Sequence, residues 1–398
     1  MQSVHRPSSG EFDPDVVRDY LDEALAYAQR EDYAGWDPYD GLTSPVLDPF
    51  ARNTFTRLVC MHGVHKFPAN LRPLLGIEKR RNAKGIALFA TSYLDAYEAT
   101  GDETYLQSAE SLLEWLWENR AIQSDNPSWG YPFDWQNSNK FFLPEYYPSI
   151  VASVFVAQAF VRHYDLTGDE ESLEVADGTC RFIMDEINRV QVREFETFAY
   201  TPYDDYVVIN ANALAASLLA VVGDRTSTEE YGERADEVMA FVLDVQDEKG
   251  AWYYSEPSDQ SHLSHDNFHT GFVLESIHDY LEVCPDEDLQ AGYENGMQFY
   301  REELFDEGGK PRFESDKRYP RDVHASAQAI RTFVKDGSPE SLALAADIFE
   351  WAMANLFDES DGHFYRRRGR VLSDKTPYMR WNQGWMCYAL GTALAHAA

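Results

Sequence analysis

Apolar residues recur at i, i+3 and i+4 through most of the chain, the spacing of helices that bury one face. Two kinds of segment alternate. Segments 14–30, 103–120, 169–190, 227–247, 286–305 and 338–357 carry Asp, Glu and Arg on one side and apolar residues on the other. Segments 82–99, 147–166, 207–222, 267–284, 322–336 and 377–396 are small or apolar over most of their surface, as in Ala213-Leu214-Ala215-Ala216-Ser217-Leu218-Leu219-Ala220. The first set reads as outer helices with a solvent face, the second as helices buried on every side. Short polar junctions join them: Thr100-Gly101-Asp102-Glu103, Thr167-Gly168-Asp169-Glu170, Gly223 to Thr226, Pro285-Asp286-Glu287 and Gly337-Ser338-Pro339-Glu340. In these, Gly closes one helix where it occurs, Asp, Ser or Thr caps the next, and Glu enriches its first turn. The junctions return roughly every 60 residues, a repeat period.

Six charged helices alternating with six buried ones predict an all-α fold, an (α/α)6 toroid in which an inner barrel is ringed by an outer one. An open superhelix of helix pairs would stack in a similar way, but six pairs close a ring. Residues 1–398 show no linker or low-complexity stretch and are expected to form a single domain. The connections are asymmetric. Inner-to-outer turns are short, whereas outer-to-inner loops span 31–81, 121–146, 191–206, 248–266, 306–321 and 358–376, with an extra helix expected near 51–66. Loops this long are uncommon without a function. All six enter the N-termini of inner helices and should gather at one barrel mouth, which is expected to be the site.

Charge narrows the partners. The 398 residues carry 34 Lys plus Arg against 68 Asp plus Glu, a net charge of −34. Nucleic acid and anionic membrane surfaces are therefore not expected partners, because binding phosphate requires a basic face. The acid is spread along the chain, and only 9 of the cations are Lys against 25 Arg. That balance suits a protein working in concentrated salt, where self-repulsion is screened. Cys60, Cys180, Cys284 and Cys387 have neither metal spacing nor the pattern of a disulfide framework. Met1 to Asp15 has no apolar core of a signal peptide, and the stretch Ala213 to Val222 is half a membrane span, so a soluble, cytoplasmic protein is expected.

The long loops hold the candidate chemistry. They read Trp129-Gly130-Tyr131-Pro132-Phe133-Asp134-Trp135-Gln136, Tyr200 to Tyr206, Trp252-Tyr253-Tyr254-Ser255-Glu256, Asp266-Asn267-Phe268-His269, Arg318 to His324 and Tyr378 to Trp385. Flat rings cover the C–H faces of a pyranose while amides, carboxylates, His and Arg bind its hydroxyls, so a carbohydrate is the expected partner. Asp266 and Asp322 stand where inner helices begin, the position of an N-cap as well as of a site residue; His269 and His324 follow them closely. Asn210 and Asn212 are poor helix residues in a buried first turn, which suggests ligand bonds or an inter-helix network. Arg380, in a buried segment, must meet a carboxylate of the protein or of a uronate ligand, and Arg80, Arg81 and Lys84 form a second basic cluster at an inner-helix start. No P-loop, GxGxxG, HExxH or GxSxG occurs, and neither a cofactor nor a metal is expected. Gln246-x-x-x-Gly250-x-Trp252 matches the repeat of triterpene cyclases only once, without their acid motif, and the zinc set of lanthionine cyclases is absent.

In architecture the whole chain resembles the six-hairpin glycosidase superfamily. That group includes unsaturated glucuronyl and rhamnogalacturonyl hydrolases, N-acylglucosamine 2-epimerases and toroid domains of uronate polysaccharide lyases. Asp266 to Phe272 and Met379 to Met386 look like stretches of toroid proteins encoded with surface-polysaccharide synthesis genes. Trp381 to Gln383 is similar to a last-helix motif of the 2-epimerases, whose neighbouring carboxylate is missing here. The paired Asp of the uronyl hydrolases could correspond to Asp134 with Asp205 or Asp266. The resemblance and the residues together lead us to expect hydrolysis of an acidic, uronate-containing saccharide. Asp134, Asp205 or Asp266 would act as acid and base, with help from His269 and His324. Trp135, Tyr203, Asn210, Trp252, Asp322, Arg380, Trp381 and Gln383 would bind the sugar. Epimerisation or β-elimination at His is the alternative reaction, and a non-catalytic glycan-binding or assembly protein is the alternative class.

Overall fold

The computed structural model describes residues 12–67, 69–137 and 139–398. Twelve of its helices pair into hairpins. The inner helices are α3 (Ala83–Thr100), α5 (Ile150–Thr167), α7 (Ile209–Thr226), α9 (Asn267–Val283), α11 (Val323–Asp336) and α13 (Trp385–Ala397); the outer ones are α1 (Pro14–Arg30), α4 (Glu103–Glu118), α6 (Glu170–Asp185), α8 (Glu229–Asp244), α10 (Glu287–Glu303) and α12 (Pro339–Leu356). Each inner helix packs on the next, and α13 returns to α3 and to α1, which closes the ring. The extra helix, α2 (Thr54–Lys66), lies in the first long loop. The fold is the (α/α)6 toroid.

Local chemistry explains the hairpins. Gly101, Gly168 and Gly337 take the left-handed conformation that ends α3, α5 and α11. The side chains of Asp102, Asp169, Asp286 and Ser338 then accept backbone N–H groups at the starts of α4, α6, α10 and α12. Leu214, Ala215, Ala216, Leu218 and Leu219 of α7 are all buried, as a helix enclosed by neighbours on all sides requires.

Two elements depart from the periodicity. The helix expected to 190 stops at Asp185, because Val190 and Val192 alternate with polar residues and enter a hairpin of Arg189–Val192 with Phe195–Phe198. The last inner helix opens with a π-helical turn, Met379–Gly384. Short hairpins such as Trp135–Asn137 with Phe141–Leu143 also stiffen the long loops, which puts rigid walls where irregular chain was expected. No helix among the described residues is long and apolar enough to cross a membrane.

Candidate functional site

The long loops and the first turns of the inner helices line an open cavity at one end of the barrel. Aromatic side chains form its wall: Tyr39, Tyr131, Phe133, Trp135, Tyr200, Tyr206, Tyr254, Phe268, Phe272 and Trp381. Trp135 is set by edge-to-face contacts with Tyr131, Phe141 and Tyr200. Met61 and His62 of α2, with Ser261, His262 and Leu263, also line it.

His269 and His324 both face this space. Asp266, the N-cap of α9, accepts the backbone N–H of His269 at 3.1 Å and contacts its Nδ1 at 2.8 Å. In a neutral ring that donates Nδ1–H to this buried carboxylate, Nε2 is the acceptor, and it has no partner among the described residues. His324 is 2% exposed and stacks between Phe268 (4.4 Å) and Trp385 (4.3 Å). Neither ring nitrogen of His324 has a protein partner. Burial, reinforced by the charges of Lys84 and Arg380, drives its pKa well below the ordinary value, so the ring is neutral. Asn210 also lines the cavity, with its Oδ1 buried and unbonded.

The π-helical turn divides four consecutive side chains. Arg380 and Trp381 reach the cavity, while Asn382 and Gln383 turn into the core. Such turns are rare and recur at functional sites. The indole N–H of Trp381 donates to Asp322 Oδ1 at 2.9 Å, and the same carboxylate caps α11 through His324 N. Asp322 therefore orients a wall residue without lining the cavity itself, and burial raises its pKa. Arg380 forms a two-point pair with Asp37, Nε–Oδ2 at 2.7 Å and Nη2–Oδ1 at 2.9 Å, with both residues 5% exposed. Its carboxylate is internal, not a ligand's.

Several expected site residues lie elsewhere. Asp205 is exposed, away from the cavity. Its neighbour Asp204 faces inward instead, closing a turn by accepting Thr201 Oγ1 and the backbone N–H of Tyr206. Asp134 accepts Glu145 N at 2.9 Å, and partial burial raises its carboxyl. It stands between two lining residues without lining the cavity itself. Tyr203 is 50% exposed against Tyr147. Trp252 is a core residue whose N–H donates to Val242 O at 2.8 Å. Gln383 clamps both backbone groups of Phe364. Asn212 ties Phe198 to α7 in the same manner. Among the described residues no Asp or Glu lines the cavity, so the expected pair of facing carboxylates is not formed.

Tyr39, Asp37, His62 and His262 escaped the sequence reading. They sit in the first long loop, in α2 and in a short loop segment, where no periodicity marks which side chains turn inward.

No protein-family model and no curated protein matches the chain. Solved structures do match. Cellobiose 2-epimerase from Bacillus thermoamylovorans B4167 aligns over 96% of this chain and 100% of its own at 12% identity, TM-score 0.66. The GH76 α-mannanase of Bacteroides thetaiotaomicron aligns over 97% and 98% at 11% identity, TM-score 0.62. A family 88 glycosyl hydrolase from Bacteroides vulgatus aligns over 78% and 91% at 12% identity, TM-score 0.57. These likenesses show the six-hairpin (α/α)6 toroid fold, and none of them bears on a link to surface-polysaccharide gene clusters.

Proposed function

We propose that the chain is a carbohydrate-processing enzyme that moves a proton at a carbon beside a sugar carbonyl, by isomerisation or epimerisation. The observation that carries this reading is the pairing of two unlike histidines in one aromatic-walled cavity. His269, oriented by Asp266, offers Nε2 as the base. His324 is held neutral, and a neutral imidazole N–H can polarise the carbonyl as the enediolate forms. Asn210 adds a polar group in the same cavity. The rings of Trp135 and Trp381 would cover the sugar faces. That epimerases share the fold supports the reading.

Hydrolysis by a carboxylate pair, the reaction expected from the sequence, lacks its acid and base on the described cavity wall. Arg380 is spent on Asp37, so an acidic sugar needs a different cation.

The test is solvent exchange. A panel of reducing sugars in D2O, followed by NMR, should show deuterium entering at the carbon beside the anomeric centre. The signal should vanish in His269→Asn and fall in His324→Asn. Sugar binding without exchange would mean a glycan-binding protein, and release of cleaved product with no exchange would restore hydrolysis.

A further inference from the structure

Lys84 lies in the first turn of α3, 2% exposed, at the wall of the same cavity. Its Nζ sits 3.9 Å from the centre of the Phe155 ring and 5.0 Å from those of Phe272 and Trp385. It forms no hydrogen bond and no ion pair with any described residue. Asp37, the carboxylate that acts on it, does so without an ion pair, being engaged by Arg380. A buried ammonium without a counter-ion is costly, and three aromatic faces offset only part of that cost. Scarcity of acid does not explain the vacancy, since carboxylates outnumber cations two to one in this chain.

The other buried cations have their acids: Arg72 has Asp40, Arg331 has Glu275 and Arg366 has Asp374. Among the described residues no carboxylate lines the cavity around Lys84, and it is lined by the first turns of α3, α5, α7, α9 and α11, whose N–H groups favour negative charge. Burial and the Arg380 charge push the Lys84 pKa well below its ordinary value, a shift that an anion bound beside Nζ would oppose.

From this geometry we infer that Lys84 is the seat of an anionic group on the sugar, a carboxylate or a phosphoryl group, which enters the cavity as the missing counter-ion. The inference rests on a sugar occupying the cavity, as proposed above, but not on the reaction.

Calorimetric titration with glucose, glucuronate and glucose 6-phosphate tests it, using the wild type, Lys84→Met and Lys84→Gln. The wild type should bind one of the anionic sugars about 10- to 100-fold more tightly than glucose, the span of a charge-assisted contact of ~1.5–3 kcal/mol. Which anion wins identifies the group. In both variants the preference should disappear while glucose affinity stays within about threefold, and Lys84→Met should melt no lower than wild type because it removes an unpaired buried charge. Equal wild-type affinity for all three sugars, or a preference that survives in whichever variant folds, overturns the assignment. Deuterium exchange on the same samples keeps the two proposals separable: anion preference without exchange retains the Lys84 site and removes the proton-transfer reading, and the converse removes only the site.

Discussion

Arg380→Met separates a structural from a ligand-binding arginine. The substitution leaves Asp37 buried with only the Tyr39 backbone N–H, at 3.2 Å, against its carboxylate. Breaking a buried two-point pair by removing one partner costs about 3–5 kcal/mol. An unfolding entropy of about 2.1 cal/mol/K per residue gives roughly 0.8 kcal/mol/K for a chain of this length, so the melting midpoint should fall by about 4–6 °C. Asp37→Asn should fall by a similar amount, since it strands the guanidinium. The double variant should lose less than the two singles combined, because each single already removes the shared interaction. Scanning calorimetry gives the midpoints, and titration with glucose and glucuronate gives the ligand arm, where both sugars should weaken alike. A midpoint within about 1 °C of wild type, together with weakening confined to glucuronate, would refute the argument and return the anion site to Arg380.

Three further outcomes follow from the geometry. His65 can donate from Nδ1 to Pro38 O and accept Arg366 at Nε2 only as a neutral ring, and burial pulls its pKa to about 2. The unfolded chain takes that proton near 6.5, so stability present above 6.5 is lost as the pH falls towards 2, at about 1.4 kcal/mol per unit. Between about pH 7 and 5 the unfolding free energy of His65→Gln should fall by about 1 kcal/mol per pH unit less than that of wild type, and an unchanged slope would mean the ring is charged in the fold. Trp252→Ala should cost about 3–5 kcal/mol as a core truncation and leave sugar affinity intact, whereas Tyr203→Ala should change neither; a sugar-specific loss in either one would restore it to the site. With a net charge of −34, the melting midpoint should rise between ~0.05 M and molar KCl, and a flat profile would remove the salt-adapted reading.

The ring was legible because it rests on periodicity. Small apolar residues around the whole circumference of 207–222 admit only a helix buried on all sides, and Gly-Asp junctions end one helix and start another by local chemistry alone. The site was legible only at residue resolution of one kind. His269, Asn210, Trp135 and Trp381 turn to the cavity as expected, since an inner-helix start or an aromatic loop places them near the mouth. Asp205 and Tyr203 were not separable from inward residues, because a turn decides side by a single position: Asp204 closes it and its neighbours swing out to solvent. Gln383 was misread for a related reason. An α-helical phase through 377–396 hides the π-helical turn that sends Trp381 to the cavity and Gln383 to Phe364.

The same turn shows how an acidic chain keeps its described carboxylates off the cavity wall. Each mouth-side carboxylate is drawn back by a donor that needs it: Asp37 by Arg380, Asp266 by His269 and the α9 terminus, and Asp322 by the Trp381 indole and the α11 terminus. Capping aspartates therefore do two jobs. They satisfy helix N–H groups, and they orient a side chain that faces the cavity. Among the described residues the wall then carries aromatic rings, the unbonded ring nitrogens of His324 and Oδ1 of Asn210, and Lys84 without an ion pair. The unpaired Lys84 and the absence of a carboxylate pair among the described residues are two features of one wall, and the proposed histidine chemistry and anion site both start from it.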